Sequence, residues 1–207
     1  KPNKPKSSYA VTGLYFYPND VVQKANSIYT ANTVTLNGEL VRNNYNIEVK
    51  GQGCKTNLYG LCLTSGNQHI DNHTIIDHIE PNCESNEVYI GVLDDSSTAV
   101  FNGKVFVRSE AQKTNAYQQN KNMLLTDDAS AYSKPELEIY ADDVKCSHGS
   151  TTGQVDEEAI FYLQTRGVSE LNARKMMIRA FTNEILENIK LGALCDVLET
   201  KIDERFS

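Results

Sequence analysis

A series of short β-type segments between Asn26 and about Ser150 restricts the fold more than any other feature. The segments recur at spacings of roughly 8–15 residues, with Asn, Gly, Asp and Ser between them. They include VTLNGELV, YNIEVKG, NHTIIDHI, AVFNGKVFV and ELEIYADD. Short strands at such spacings are typical of all-β proteins, so the sequence predicts a sandwich, a barrel or a solenoid. Periodicity alone does not choose among these three folds.

Toward the C-terminus the pattern changes from strand to helix. Acidic residues at 156–158 favour a helix start, and Ser169 can cap a second helix in which apolar residues recur at three- and four-residue steps. A last helix is predicted over residues 193–206. We therefore predict a β core over residues 26–153 and a helical region over residues 154–207.

Residues 1–25 differ from the rest of the chain in composition. They carry four lysines against one acidic residue, although the whole chain has a net charge of −7. A strand over Tyr9–Tyr17 and a helix start at Pro18–Asp20 are predicted here. The segment resembles part of the sugar-phosphate thymidylyltransferases, whose nucleotide loop and catalytic acids are absent from the remaining residues. We interpret it as a foreign-looking strand–helix segment that can add an edge strand.

Composition excludes several classes of partner. An acidic chain without a clustered basic face is not expected to bind nucleic acid. No apolar run approaches the roughly 20 residues that a membrane-spanning helix needs. Five scattered cysteines without a Cys-x-x-Cys pair argue against a disulfide framework and a zinc knuckle. We expect a cytoplasmic protein with reduced thiols and no membrane partner.

Most enzyme signatures are missing from the sequence. It contains no GxSxG elbow, no GxxxxGK[ST] loop and no GxGxxG loop, and we predict that the protein is not an enzyme. One alternative is left open by the segment HIDNHTIIDH. Strand alternation would place His69, Asp71 and His73 on one face, where they could bind a divalent cation. That alternative is a metal-dependent enzyme built on a β-solenoid or β-barrel.

Cys146 and His148 form a second candidate site. They are two residues apart, so on an extended strand both side chains point to the same face. A thiolate and an imidazole suit iron in a sulfide-bearing cluster. Since a stable cluster normally takes four protein ligands, the others would come from another subunit at a shared interface. The plain alternative is a small buried cysteine beside an ordinary turn histidine.

A long motif contains this second candidate site. The segment ELEIYADDVKCSHGSTTGQVDEEAIFYLQTRG, with AQKTNAYQQNKNMLLTDDASAYSKP before it, closely resembles the SufB/SufD family of iron–sulfur cluster assembly scaffolds, and its details favour the SufD branch. The resemblance covers about residues 26–207, and the N-terminal half usual in the family is missing. Leu163 stands where SufB relatives carry a cysteine, which predicts a poor scaffold when the protein is alone.

The resemblance implies a fold, partners and roles for individual residues. The fold would be a mainly β, right-handed parallel β-helix followed by a small helical region. That region would dock a SufC-like ATPase, with Phe161, Tyr162, Arg166, Met176 and Phe181 as partner-binding candidates. Cys146 and His148 would lie where the chain meets a SufB-like subunit. No cofactor would be tightly bound, but a transient iron–sulfur cluster or iron would form at that interface. A homodimer through exposed β-helix edges could imitate the same contact.

Overall fold

A computed structural model describes residues 14–190 and 192–205 of the chain. Over these residues, ten β-strands precede three α-helices. The strands are β1 (Leu14–Gln23), β2 (Ile28–Thr35), β3 (Leu40–Val49), β4 (Lys55–Thr64), β5 (His69–His78), β6 (Glu84–Leu93), β7 (Thr98–Val107), β8 (Asn115–Leu124), β9 (Ser130–Ile139) and β10 (Lys145–Gln154). The helices are α1 (Glu157–Thr165), α2 (Glu170–Leu186) and α3 (Gly192–Arg205). None of the described helices is long and apolar enough to cross a membrane.

The strands form two five-stranded parallel sheets. The first has the order β1-β3-β5-β7-β9 and the second the order β10-β8-β6-β4-β2. Each turn of the chain adds one strand to each sheet, so Leu40 pairs with His69 and His69 pairs with Thr98. A chain that coils in this way is a parallel β-solenoid. The predicted β-helix with C-terminal helices is therefore confirmed, and the sandwich and barrel alternatives are wrong.

Stacked corners join the two sheets. Asn26, Gly53, Asn82 and Lys113 precede the strands of the second sheet in successive turns, and all four have a φ between 58° and 70°. Backbone N–H groups at this corner donate to the next turn, for example from Asn82 to the Gln112 carbonyl at 2.9 Å. Glycine and asparagine adopt this left-handed conformation readily, whereas lysine does so at a cost.

The solenoid interior lies between the sheets. Along β7 half-buried and buried residues alternate without exception, as a strand with one inward face requires. Ile47, Ile76 and Val105 stack in successive turns and are almost completely buried. Polar side chains also stack inside, because Asn43 Nδ2 donates to Asn72 Oδ1 at 2.9 Å. The interior is thus apolar, with columns of hydrogen-bonded polar groups.

The helices cover the outer face of the second sheet. Buried residues from all three helices pack against outward residues of β4, β6 and β8, namely Leu61, Leu63, Val88, Ile90, Val92 and Met123. An ion pair of 2.6 Å between Lys121 and Glu184 joins β8 to α2. The predicted Ser169 cap of α2 is confirmed, and α1 starts at the predicted acidic residues, where Asp156 is its cap. The helices therefore extend the core beyond the solenoid.

The N-terminal segment differs from its prediction. The strand β1 continues through Pro18–Asp20, so the helix start predicted there is wrong. Pro18 lies opposite Asn44 in an edge strand, where its missing N–H need not reach a second neighbour. β1 is the edge of the first sheet, which is the added edge strand that the sequence allowed. Residues 9–13 of the predicted strand and Phe206 of the predicted last helix lie outside the described residues.

Candidate functional site

The last turn of the solenoid is open. β9 and β10 stand at the same end of their sheets, and no strand of the described chain lies beyond them. Inward side chains of earlier turns are covered by the following turn, whereas those of β10 are covered on one side only. β10 is accordingly exposed or half-buried along its whole length. Polar inward residues of this strand can therefore reach solvent or a partner.

Cys146 and His148 lie on the inward face of this open turn. β10 pairs with β8, which places Cys146 beside Ala116 and His148 beside Gln118. Cys146 is half-buried against the interior cluster that contains Ala116. The His148 ring is exposed, and its Nδ1 lies 3.0 Å from the backbone oxygen of Pro135 in β9. The structure thus places the two predicted residues on one face at the end of the solenoid.

The contacts of these two residues define their chemistry. A carbonyl oxygen can only accept a hydrogen bond, so His148 Nδ1 carries the proton and Nε2 keeps its lone pair when the ring is neutral. A histidine held in this way is ready to bind a metal through Nε2. Burial raises the pKa of the Cys146 thiol, with a smaller opposing effect from the Ala116 backbone. Cys146 therefore needs a nearby positive charge or metal to become a thiolate.

A buried polar pair lies behind His148, and the sequence reasoning missed it. The Gln118 side-chain amide donates to Glu87 Oε2 at 2.7 Å, and both side chains are fully buried. Burial raises the pKa of Glu87 to about 7, although the hydrogen bond from Gln118 acts to lower it. Glu87 pairs with Gln118 and Gln118 with His148 in successive turns. Counting inward residues at the spacing of one turn would have revealed this series.

The outward histidine array has a different environment. His69, Asp71 and His73 alternate with buried residues, so they share the outer face of β5 as predicted. Asp71 lies 2.9 Å from Arg42 and 2.8 Å from His73 Nε2. Burial lowers the pKa of His73 despite the opposing effect of Asp71. Because the described residues contain no group of three or more His, Cys, Asp or Glu side chains arranged to hold a metal ion, this array gives no support to the metal-dependent enzyme.

The helical candidates divide into exposed and packed residues. Phe161 and Tyr162 of α1 are 66% and 58% exposed, and Met176 of α2 is also exposed. The Arg166 guanidinium donates to the Tyr162 hydroxyl at 3.1 Å and lies over its ring. Phe181 instead packs against the core between the helices and the second sheet. Phe161 and Tyr162 are therefore the large apolar groups of α1 that a partner could cover.

Comparisons with known proteins identify the family of this chain. Residues 12–181 match the family model for the SufBD core domain of SUF system FeS cluster assembly. The chain is 38% identical over 174 residues to an iron–sulfur cluster assembly SufBD family protein of Synechocystis, covering 84% of this chain and 38% of the relative. It is 34% identical over 191 residues to the iron–sulfur cluster assembly protein SufD of Escherichia coli, covering 92% and 45%. The chain thus spans less than half the length of these relatives.

Proposed function

The chain belongs to the SufBD family of iron–sulfur cluster assembly proteins, and we propose that it acts as a SufD-like, non-catalytic scaffold subunit. It pairs with a SufB-like subunit through the open end of the solenoid. It binds a SufC-like ATPase through its helical region. The ATPase carries out the ATP chemistry, and the nascent cluster or its iron is the cargo of the complex.

The open last turn is the observation that carries this proposal. It presents Cys146 and His148 together, and the Nε2 lone pair of His148 is directed away from its Pro135 contact. Two residues are too few for a stable cluster, which takes four protein ligands. Leu163, which stands where SufB relatives carry a cysteine, packs against the helix–sheet core and offers no ligand. The missing ligands must therefore come from a partner that closes this end.

The exposed ring pair on α1 supports the helical region as the ATPase-binding surface. Phe161 and Tyr162 are adjacent in sequence, and both remain exposed while Ile160 beside them is buried in the core. Neighbouring exposed aromatic side chains of this kind anchor protein interfaces. The Arg166 contact orders Tyr162 without covering it. The surface is therefore preorganised for a partner.

His148→Ala tests the scaffold role. We expect this variant to lower the yield of iron–sulfur cluster when the protein is assembled with its SufB-like and SufC-like partners, because one ligand is lost. Folding should be unchanged, since the ring is exposed and makes a single hydrogen bond. His69→Ala, a half-buried histidine on the outer face of β5, is the matched control and should leave the yield unchanged.

An unchanged cluster yield in His148→Ala would contradict the proposed role.

Pairing with the SufB-like subunit is tested separately. The molecular mass of the chain in solution is measured before and after addition of that subunit. If two copies pair through the exposed edges of β9 and β10, the SufB-like chain should replace one of them. Persistence of the homodimer would count against the open end as the heteromeric contact.

A further inference from the structure

The connection between β2 and β3 contains an exposed Asn-Gly dipeptide. Asn37 and Gly38 lie in neither strand, and the Asn37 side chain is exposed. Within the described part of the chain, no hydrogen bond holds the Asn37 carboxamide or the Gly38 N–H. The chain is fixed on both sides of them: Thr35 Oγ1 accepts from Asn43 Nδ2 at 3.3 Å. The Gly38 carbonyl accepts from Gln68 Nε2 at 3.2 Å. The dipeptide is thus a short open segment between two anchored points.

This segment brings a nucleophile and an electrophile of the chain together. Bond formation between the Gly38 nitrogen and the side-chain carbonyl carbon of Asn37 closes a five-membered ring. Glycine has no Cβ atom, so no side chain hinders the approach. Gly38 also has a φ of 121°, which residues with a side chain rarely adopt. Because the attack is intramolecular, the burial of the Gly38 backbone does not prevent it.

We propose that Asn37 is a site of spontaneous modification, at which the Gly38 nitrogen closes a succinimide ring. A bond forms between the Gly38 nitrogen and Asn37 Cγ, the bond between Cγ and Nδ2 breaks, and ammonia leaves with the proton of the Gly38 N–H. Water then opens the ring at either of its carbonyl carbons. The products are aspartate and isoaspartate at position 37, each with one negative charge more than asparagine. Water is the only co-reactant in this sequence.

The second Asn-Gly dipeptide of the chain provides a matched comparison. Asn102 and Gly103 lie within β7, which pairs with β5 on one side and with β9 on the other. A Cβ atom at position 103 would lie 2.5 Å from the Phe101 ring, so the backbone is closely packed there. A strand in the middle of a sheet is released only by local or global unfolding. The reaction is therefore expected at Asn37 and suppressed at Asn102, although the two dipeptides are chemically alike.

The modification changes the charge at the first end of the solenoid. Asn37 lines a hollow of about 580 Å³ at this end, together with apolar residues such as Leu36. The equivalent positions of the next three turns hold Gly66, Asp95 and Asp127. A carboxylate is accepted at this corner, since Asp95 Oδ2 receives a hydrogen bond of 2.7 Å from the Gly66 N–H. We therefore expect a more negative hollow on a solenoid that stays folded.

Peptide mapping of the full chain by mass spectrometry measures both positions in one sample. The chain is incubated in mildly alkaline buffer beside a free peptide of residues 34–41. We expect Asn37 to react within about tenfold of the rate in the peptide, because opening an exposed connection costs little free energy. Asn102 should react at least about a hundredfold more slowly, because β7 is a central strand. Isoaspartate should accompany aspartate, since it forms only through the ring.

Two controls separate the fold from the local sequence. In concentrated urea both dipeptides are released, so they should react at similar rates. Asn37→Gln should abolish the product at position 37, because the longer side chain does not form the five-membered ring. Gly38→Ala should also slow ring closure, but alanine is strained at a φ of 121°. Asn37→Gln leaves Gly38 in place and is free of that strain.

An unmodified Asn37 in a sample in which the free peptide reacts would overturn the proposal. So would equal rates at the two positions in the folded chain, or aspartate without isoaspartate. A difference between the two positions that persists in urea would show that the fold does not protect Asn102. The measurement needs neither a partner subunit nor a cluster, so it is independent of the scaffold role.

Discussion

Glu87 gives the protein a pH-dependent stability that a single substitution should remove. Its side chain is fully buried, and burial raises its pKa from 4.5 to about 7. The hydrogen bond from Gln118 acts in the opposite direction. The neighbouring ionisable group on the same strand is Tyr89, whose own pKa is raised well above its usual value by burial. Neither Gln118 nor Tyr89 carries a positive charge that would stabilise the ionised Glu87 side chain.

The size and sign of the effect follow from these two pKa values. Below pH 4.5 the carboxyl group is protonated in both the folded and the unfolded chain, so its contribution to stability is complete. Between pH 4.5 and about 7 the unfolded chain loses the proton while the folded chain keeps it, so stability falls. Above that range both states are ionised and the loss is complete. At 1.36 kcal/mol per pKa unit, the loss amounts to about 3 kcal/mol.

Glu87→Gln cannot ionise and retains an oxygen for the Gln118 donor. We expect the wild-type chain to lose about 3 kcal/mol more unfolding free energy than this variant between about pH 4 and pH 8. Urea unfolding at several pH values, with one probe in each sheet, gives both curves. Glu84→Gln is the control, because Glu84 lies on the same strand with an exposed side chain paired to Lys55. Parallel stability curves for the wild-type chain and Glu87→Gln would refute the reasoning.

Two other substitutions test the corners and the helical surface. Lys113→Gly should raise the unfolding free energy by about 1 kcal/mol, since it relieves a left-handed lysine; Lys113→Ala, which keeps the strain, should bring no such gain in the same denaturation experiment. Phe161→Ala should weaken binding to the SufC-like ATPase about tenfold in a titration, because it removes an exposed aromatic anchor. Tyr132→Ala, an equally exposed aromatic residue on the first sheet, should have no effect, and equal losses for both would contradict an ATPase surface on α1.

The sequence predicted the strands better than their arrangement. Alternation along β5 and β7 is visible in the residues themselves. The choice of a solenoid depends on pairing between positions one full turn apart, which local periodicity does not report, and the family resemblance supplied it. The segments VTLNGELV and AVFNGKVFV both contain an Asn-Gly dipeptide, and they show that similar local sequences need not occupy equivalent places in the solenoid. Asn37 and Gly38 precede β3, whereas Asn102 and Gly103 lie within β7, so the two dipeptides are not equivalent positions.

The candidate site likewise contains residues that local sequence predicts and residues that only contacts between turns reveal. Cys146 and His148 share a face because strand alternation is a local rule, and the structure agrees. Glu87 and Gln118 escaped notice because each belongs to another turn and neither stands in a motif. The helix start at Pro18–Asp20 was wrong for a related reason, since proline and aspartate favour a helix start locally but pairing with β3 decides the outcome. Contacts between turns thus decide what local residue patterns leave open.

The chemistry of His148 also restricts what can close the open end. A further strand laid over β10 would bury the ring as the next turn buries Gln118. Nδ1 would remain satisfied by Pro135, but a buried Nε2 lone pair without a partner would cost about 1–3 kcal/mol. An apolar cap therefore binds with a penalty, whereas a cap that brings a metal ion or a hydrogen-bond donor to Nε2 does not. A second copy of this chain would place another histidine of the same kind there, so a partner with different ligands fits this end better.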